Sequence, residues 1–133
     1  MTHSAGEALP PIDESFPTWR MMAYGAATWD WYQVHFDHKV AASMGLPGPF
    51  VDGQQWGAVF ARQLREHFGP QAFVTKMALR YHAMVFADER VTGSAEITNI
   101  RHEPGAQVAE VLHRLEKDGR PVASCRSEVR LPD

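Results

Sequence analysis

The segment Thr28-Trp29-Asp30-Trp31-Tyr32-Gln33-Val34-His35-Phe36-Asp37 sets two acids and an imidazole among large aromatic rings. Aromatic surroundings lower the local dielectric, which strengthens whatever polar interactions remain inside. Histidine titrates nearest neutral pH of all side chains, and a neighbouring carboxylate can orient it or share its work on a water molecule. Asp30 and His35 are therefore the candidate acid/base pair, although the residue types alone also suit a capping acid and a structural histidine. His35-Phe36-Asp37-His38 offers three potential metal ligands. From a short helix or loop they would not converge, and no remote ligand cluster completes a shell, so no metal is expected. Asp37 reads instead as the N-cap of a short helix running to Met44 and ended by Gly45.

The element best placed to hold a substrate against this pair is a helix over about Gly53 to Phe68. Trp56, Val59, Phe60, Gln63, Leu64, His67 and Phe68 recur at helical spacing. Asp52 is a good N-cap, Gln55 completes a capping-box pattern, and Gly69-Pro70 supplies the stop. After the helix the pattern changes to period two. Phe73, Thr75, Met77, Leu79, Tyr81, Ala83 and Val85 share one face of a long strand. Three further alternating runs follow, around Val91 to Ile97, Ala109 to Leu115 and Ala123 to Leu131. Turn residues separate them at Ala87-Asp88, Glu103-Pro104-Gly105 and Lys117-Asp118-Gly119. Before the helix, Trp19, Met21 and Ala23 alternate, which suggests a strand over Thr18 to Thr28. Met1 to Pro17, with three prolines, reads as a partly ordered arm in front of a single domain over residues 18–133. Four antiparallel strands after one buried helix define an α+β layer architecture, and a fifth strand would make it a hot-dog fold.

Composition narrows the function. The 133 residues suit one domain, with 44% hydrophobic and 22% charged residues and a formal net charge of -3. That charge provides no basic field for nucleic acid. No apolar run is long enough to span a bilayer, and no basic patch followed by an apolar stretch marks a signal peptide. With a single cysteine, Cys125, no internal disulfide can form. These features set a cytoplasmic location as the default expectation, and Cys125 is expected to be an inert core residue. His67, His82, His102 and His113 lack motif partners and are expected at the surface or an interface.

Asp30, His35 and Asp37, followed by Gly45-Leu46-Pro47-Gly48-Pro49 and then Gly53 at the start of the central helix, resemble the signature of MaoC-like, (R)-specific enoyl-CoA hydratases. The motif resemblance covers roughly Tyr24 to Leu64. It implies a hot-dog fold and the reversible hydration of an enoyl thioester, with coenzyme A as part of the substrate and no separate cofactor. By the same resemblance, Asp30 and His35 activate one water together, while the Gly53 N–H holds the thioester oxygen. A helix N-terminus supports the latter role physically, because it presents unpaired N–H groups and a positive dipole end to developing negative charge. Trp31, Tyr32, Gln33, Phe50 and Trp56 are the expected substrate-binding residues.

Two departures bear on substrate and assembly. The family usually has Asn-Pro where Tyr32-Gln33 stand, and a histidine where Asp52 stands. Asp52 is read here as a cap only. Members acting on bulky acyl groups, including steroid side-chain thioesters, share the first departure and work as small subunits beside a related partner. The implied assembly is a homodimer or a heteromer with a related hot-dog subunit. Two alternatives are a hot-dog thioesterase and a non-catalytic subunit. The first generally needs an acid on the central helix, and none lies between Gln54 and Arg65. The second would not be expected to retain both Asp30 and His35.

Overall fold

A computed structural model describes residues 2–132. The chain forms β1 (Ile12–Ser15), α1 (Thr18–Thr28), a 3-10 turn (Gln33–His35), α2 (His38–Ser43) and α3 (Gly53–Phe68). Four strands follow: β2 (Phe73–Tyr81), β3 (Arg90–Glu103), β4 (Ala106–Lys117) and β5 (Arg120–Pro132). They make one antiparallel sheet in the order β1-β3-β4-β5-β2. This is the hot-dog architecture.

The central helix starts and stops where its sequence says. Asp52 accepts the Gln54 N–H at 2.9 Å, and the Gly69 N–H closes the last turn on the Arg65 carbonyl. Gln55 does not complete a capping box; its side chain is buried and its Oε1 has no partner among the described residues. Trp56, Val59, Phe60, Gln63 and Leu64 form the buried stripe. Its N-terminal half packs with Phe16, Met21, Val91, Leu115 and Cys125, and Leu64 packs with Ile97, Val111 and Val129. Burial pushes the Cys125 thiol up to about 11, in keeping with an inert core residue. Lys117-Asp118-Gly119 turns with positive φ at Asp118 and Gly119 (50° and 73°), the geometry that two-residue hairpins favour.

Four expectations change. Thr18–Thr28 is a helix, because its buried positions are Met21 and Gly25, four apart, whereas Trp19 is 71% exposed. The alternation of Trp19, Met21 and Ala23 is incidental. Residues 6–17 are not an arm outside the domain. Ile12–Ser15 pairs with Arg90–Gly93, and Gly6 and Leu9 donate to the Ile97 and Ala95 carbonyls at 2.7 and 2.9 Å. The long strand ends at Tyr81, and a bulge between Val74 and Lys76 changes its phase, so Val74, Met77 and Leu79 turn inward while Phe73 and Thr75 are exposed.

His113 is the fourth. It is 0% exposed and faces α3 from β4. Gln63 donates through Nε2 to the Pro10 carbonyl at 2.6 Å, which leaves its Oε1 to accept from His113 Nδ1 at 2.8 Å. His113 Nε2 then accepts from the Ser127 hydroxyl at 2.9 Å. Burial pushes the imidazole down to about 4, so it is neutral at physiological pH. This chain of bonds ties the N-terminal segment, the central helix and two strands together through polar groups that the core would otherwise strand.

Candidate active site

Asp30 is placed by the way α1 ends. Trp29 adopts a left-handed conformation (φ 59°), and the Asp30 N–H reaches back to the Gly25 carbonyl at 2.9 Å. Gly25 is required here, because a Cβ would lie 2.6 Å from the Asp30 carbonyl oxygen. One Asp30 carboxylate oxygen accepts the Tyr32 N–H at 3.2 Å, which sets the side-chain direction. Val34, fully buried, anchors the 3-10 turn that carries His35.

His35 is oriented from the far side of the Gly-Leu-Pro-Gly-Pro turn. Gly45 has φ 75° and ends α2, whose N-cap is Asp37 through Lys39 and Val40. The following residues align on the segment after β2, with Val51 N–H donating to the Val85 carbonyl at 2.8 Å. That placement puts the Phe50 carbonyl 2.8 Å from His35 Nδ1. A carbonyl only accepts, so Nδ1 carries the hydrogen and Nε2 of the neutral ring keeps a lone pair. Tyr32 and Phe50 flank the imidazole edge-on, with ring centroids at 5.4 and 4.8 Å.

One ring nitrogen of His35 and one carboxylate oxygen each from Asp30 and Asp52 lie within 4.8 Å of one another. Asp30 and His35 are half-buried, so the pair converges without being sealed from solvent. Asp52 is both the cap of α3 and a third member of the cluster, which a reading of it as cap alone missed. At the helix start, Asp52 satisfies the Gln54 N–H with its side chain and the Gln55 N–H with its carbonyl. The Gly53 N–H has no partner among the described residues, as the first amide of a helix has none within it. The Tyr81 ring lies against Gly53, 2.9 Å from where a Cβ would stand.

Tyr24 was not singled out from sequence. Burial, reinforced by the charge of Asp52 and then by Tyr81 and Asp30, raises its hydroxyl above the usual tyrosine range, which marks it as a neighbour of the cluster. Its only sequence signal is its position one helical turn before Thr28. Among the expected substrate-binding residues, Tyr32 and Phe50 sit beside His35, whereas Trp31 contacts Trp29 and Phe36 and is half exposed. Gln33 is exposed in the 3-10 turn. Trp56 is 2% exposed and packs edge-on against Phe16 at 5.0 Å, so it belongs to the core. Of the basic residues on and after the helix, Arg62 pairs with Glu14 and Lys76 lies 3.8 Å from Glu128.

The fold places the chain in the hot-dog class, and solved structures resemble it over almost its whole length. The (R)-hydratase from A. caviae involved in PHA biosynthesis superposes with a TM-score of 0.88 at 22% identity, covering 98% of both chains. A chain of the ChsH1-ChsH2 complex from Mycobacterium tuberculosis gives 0.84 at 22% identity, covering 98% of this chain and 99% of that one. A chain of the HadBC (3R-hydroxyacyl-ACP dehydratase) complex of the same organism gives 0.80 at 13% identity, with 97% and 98% covered. No match was found among curated proteins. The family profile described as the MaoC like domain matches residues 12–118, and the chain belongs to that MaoC-like dehydratase family. No helix among the described residues is long and apolar enough to cross a membrane.

Proposed function

We propose that this protein catalyses the reversible hydration of an enoyl thioester, with a trans-2-enoyl-CoA and its 3-hydroxyacyl-CoA as the substrate pair. The observation that carries this reading is the convergence of Asp30 and His35 beside the first turn of α3, with the Gly53 amide unpaired. In the hydration direction, one water sits between Asp30 and His35. His35 Nε2 accepts its proton as the oxygen adds to C3 of the double bond. Charge moves to the thioester oxygen, where the Gly53 N–H and the positive end of the helix stabilise it. The proton returns to C2, so the elements of one water are added and no redox step occurs. Asp30 holds the water and, with Asp52, stabilises the imidazolium formed in passing. Tyr32 and Phe50 flank the imidazole edge-on and limit solvent access from those two sides.

The partner in assembly is proposed to be a second copy of this chain or a related hot-dog subunit. Trp19, Met22, Trp29, Trp31, Tyr32 and Met44 are all substantially exposed between β1 and α3, as are Phe73, Tyr81 and Met84 on and after the edge strand β2. Monomeric soluble proteins rarely leave so much large apolar surface in water. Strand β2 is also paired on one side only. The similar ChsH1-ChsH2 and HadBC structures, both complexes, support the same reading.

The test is a hydration assay on crotonyl-CoA and on a bulky enoyl-CoA, following loss of the enoyl thioester absorbance. Asp30→Asn and His35→Ala are expected to lower turnover by about 10²–10⁴-fold with circular dichroism unchanged. Full turnover in both folded variants would overturn the mechanism.

A further inference from the structure

A second cluster of donor atoms lies at the opposite end of the central helix. Ser4 to Glu7 form a turn with Gly6 at φ 86°, closed by Glu7 N–H to the Ser4 carbonyl at 3.2 Å. The Ile97 N–H donates to the Glu7 carbonyl at 2.9 Å, so the turn is locked onto β3. One carboxylate oxygen of Glu7, Oε2, accepts the Ser4 N–H at 3.1 Å. The other, Oε1, faces His3 Nδ1 at 3.0 Å and His67 Nε2 at 2.9 Å. All three donor atoms lie within 4.8 Å of one another. Phe68 packs edge-on against both imidazoles, with centroids at 4.8 Å, and fixes their planes. None of these side chains is more than 30% exposed.

Hydrogen bonding alone does not complete this arrangement. Among the described residues, His67 Nε2 has no hydrogen-bond partner and is out of contact with solvent, although Glu7 Oε1 is 2.9 Å away. The distance suits a hydrogen bond but the direction does not, and a stranded ring nitrogen in a buried position is costly.

We propose that His3 Nδ1, Glu7 Oε1 and His67 Nε2 bind a divalent transition metal ion of the zinc class, and that the ion clamps the N-terminal segment to the end of α3. Two imidazoles and one carboxylate suit zinc, cobalt or nickel, whereas calcium and magnesium favour oxygen-only shells. With bonds of about 2.0–2.2 Å, the observed 2.9 and 3.0 Å edges correspond to ligand–metal–ligand angles of roughly 90°. Opening each edge by a few tenths of an ångström reaches the tetrahedral angle, with water in the remaining position. The site is structural and independent of the hydratase reading. His67 lies fourteen residues beyond Gly53 on one helix, a separation of about 21 Å along its axis. His67, expected at the surface or an interface, is instead half-buried against His3 and Glu7.

Protein stripped with EDTA is titrated with zinc chloride by calorimetry, and separately with cobalt chloride while visible d–d absorption is recorded. The expected result is one ion per chain, bound more tightly than about 10 μM, with the thermal midpoint raised by roughly 5–10 °C at a hundredfold excess over Kd. His67→Ala and, as the milder change, His3→Ala are each expected to weaken binding at least tenfold with the far-ultraviolet circular dichroism retained. His35→Ala serves as the control, since Asp30, His35 and Asp52 form the other three-ligand group. Absence of saturable binding overturns the proposal. So does binding that survives in folded His3→Ala and His67→Ala, or that is lost only in His35→Ala.

Discussion

Replacing His113 by leucine gives a stability effect whose size depends on pH in a calculable way. In the wild type at pH 7.5 the imidazole is neutral in both folded and unfolded chains, so its titration contributes nothing. The leucine variant loses both hydrogen bonds and leaves Gln63 Oε1 and the Ser127 hydroxyl without their partner. Stranding those buried groups costs about 1–3 kcal/mol each. As pH falls below the unfolded value of 6.5, the unfolded chain takes up a proton that the folded chain refuses until about pH 4. Stability from this group is thus full above 6.5 and lost as pH falls through that window. At about 1.4 kcal/mol per pH unit, the wild type loses about 2.5 kcal/mol between pH 7.5 and 4.5. The leucine variant has no such group and escapes the loss. Urea unfolding of both proteins at equal concentration, followed by circular dichroism at the two pH values, should show the gap shrinking by about 2.5 kcal/mol at pH 4.5. Carboxylates that titrate over the same range are common to both proteins and cancel in the difference. A gap that stays constant within about 0.5 kcal/mol would refute the assignment of His113 as a neutral buried base.

Gly25→Ala should lower hydration activity by more than tenfold and cost about 1–3 kcal/mol of stability, because the Asp30 carbonyl that the new Cβ meets is backbone and must shift. Paired kinetics and urea unfolding check this, and unchanged activity would mean that the Asp30 carbonyl is not fixed by contact with this glycine. Gly53→Ala should leave stability within about 0.5 kcal/mol, since the Tyr81 ring in its way is exposed and can swing aside. Its effect should appear as a raised KM or lowered kcat. Asp52→Ala should lose about 1 kcal/mol of stability with the cap. Asp52→Asn keeps the hydrogen bond and should lose activity alone, by less than Asp30→Asn; equal stability of the two variants would deny the capping role.

Much of this protein is legible in its sequence because it is written in local patterns. The 3.6-residue stripe from Trp56 to Leu64, bounded by Asp52 and Gly69-Pro70, marks the central helix without reference to anything else. Alternation around turn residues such as Asp118-Gly119 marks the last three strands. Asp30 and His35 stand out because their chemistry and spacing are unusual in so aromatic a segment. The features that escaped are those whose partners lie far along the chain. Ile12–Ser15 becomes a strand only because β3 offers it an edge. Thr18–Thr28 reads either way until Met21 and Gly25 are seen to face the core. Thr75 keeps perfect alternation in sequence, and only pairing with β5 reveals the bulge. His113 looks like a polar position on a strand until Gln63, fifty residues earlier, meets it. Asp52 joins Asp30 and His35, and His67 joins His3 and Glu7, through the same long-range closure. Periodicity and capping are set by neighbours a few bonds away, so sequence determines them. Burial of a polar group depends on which distant surface covers it, and that is decided only when the sheet closes around the helix.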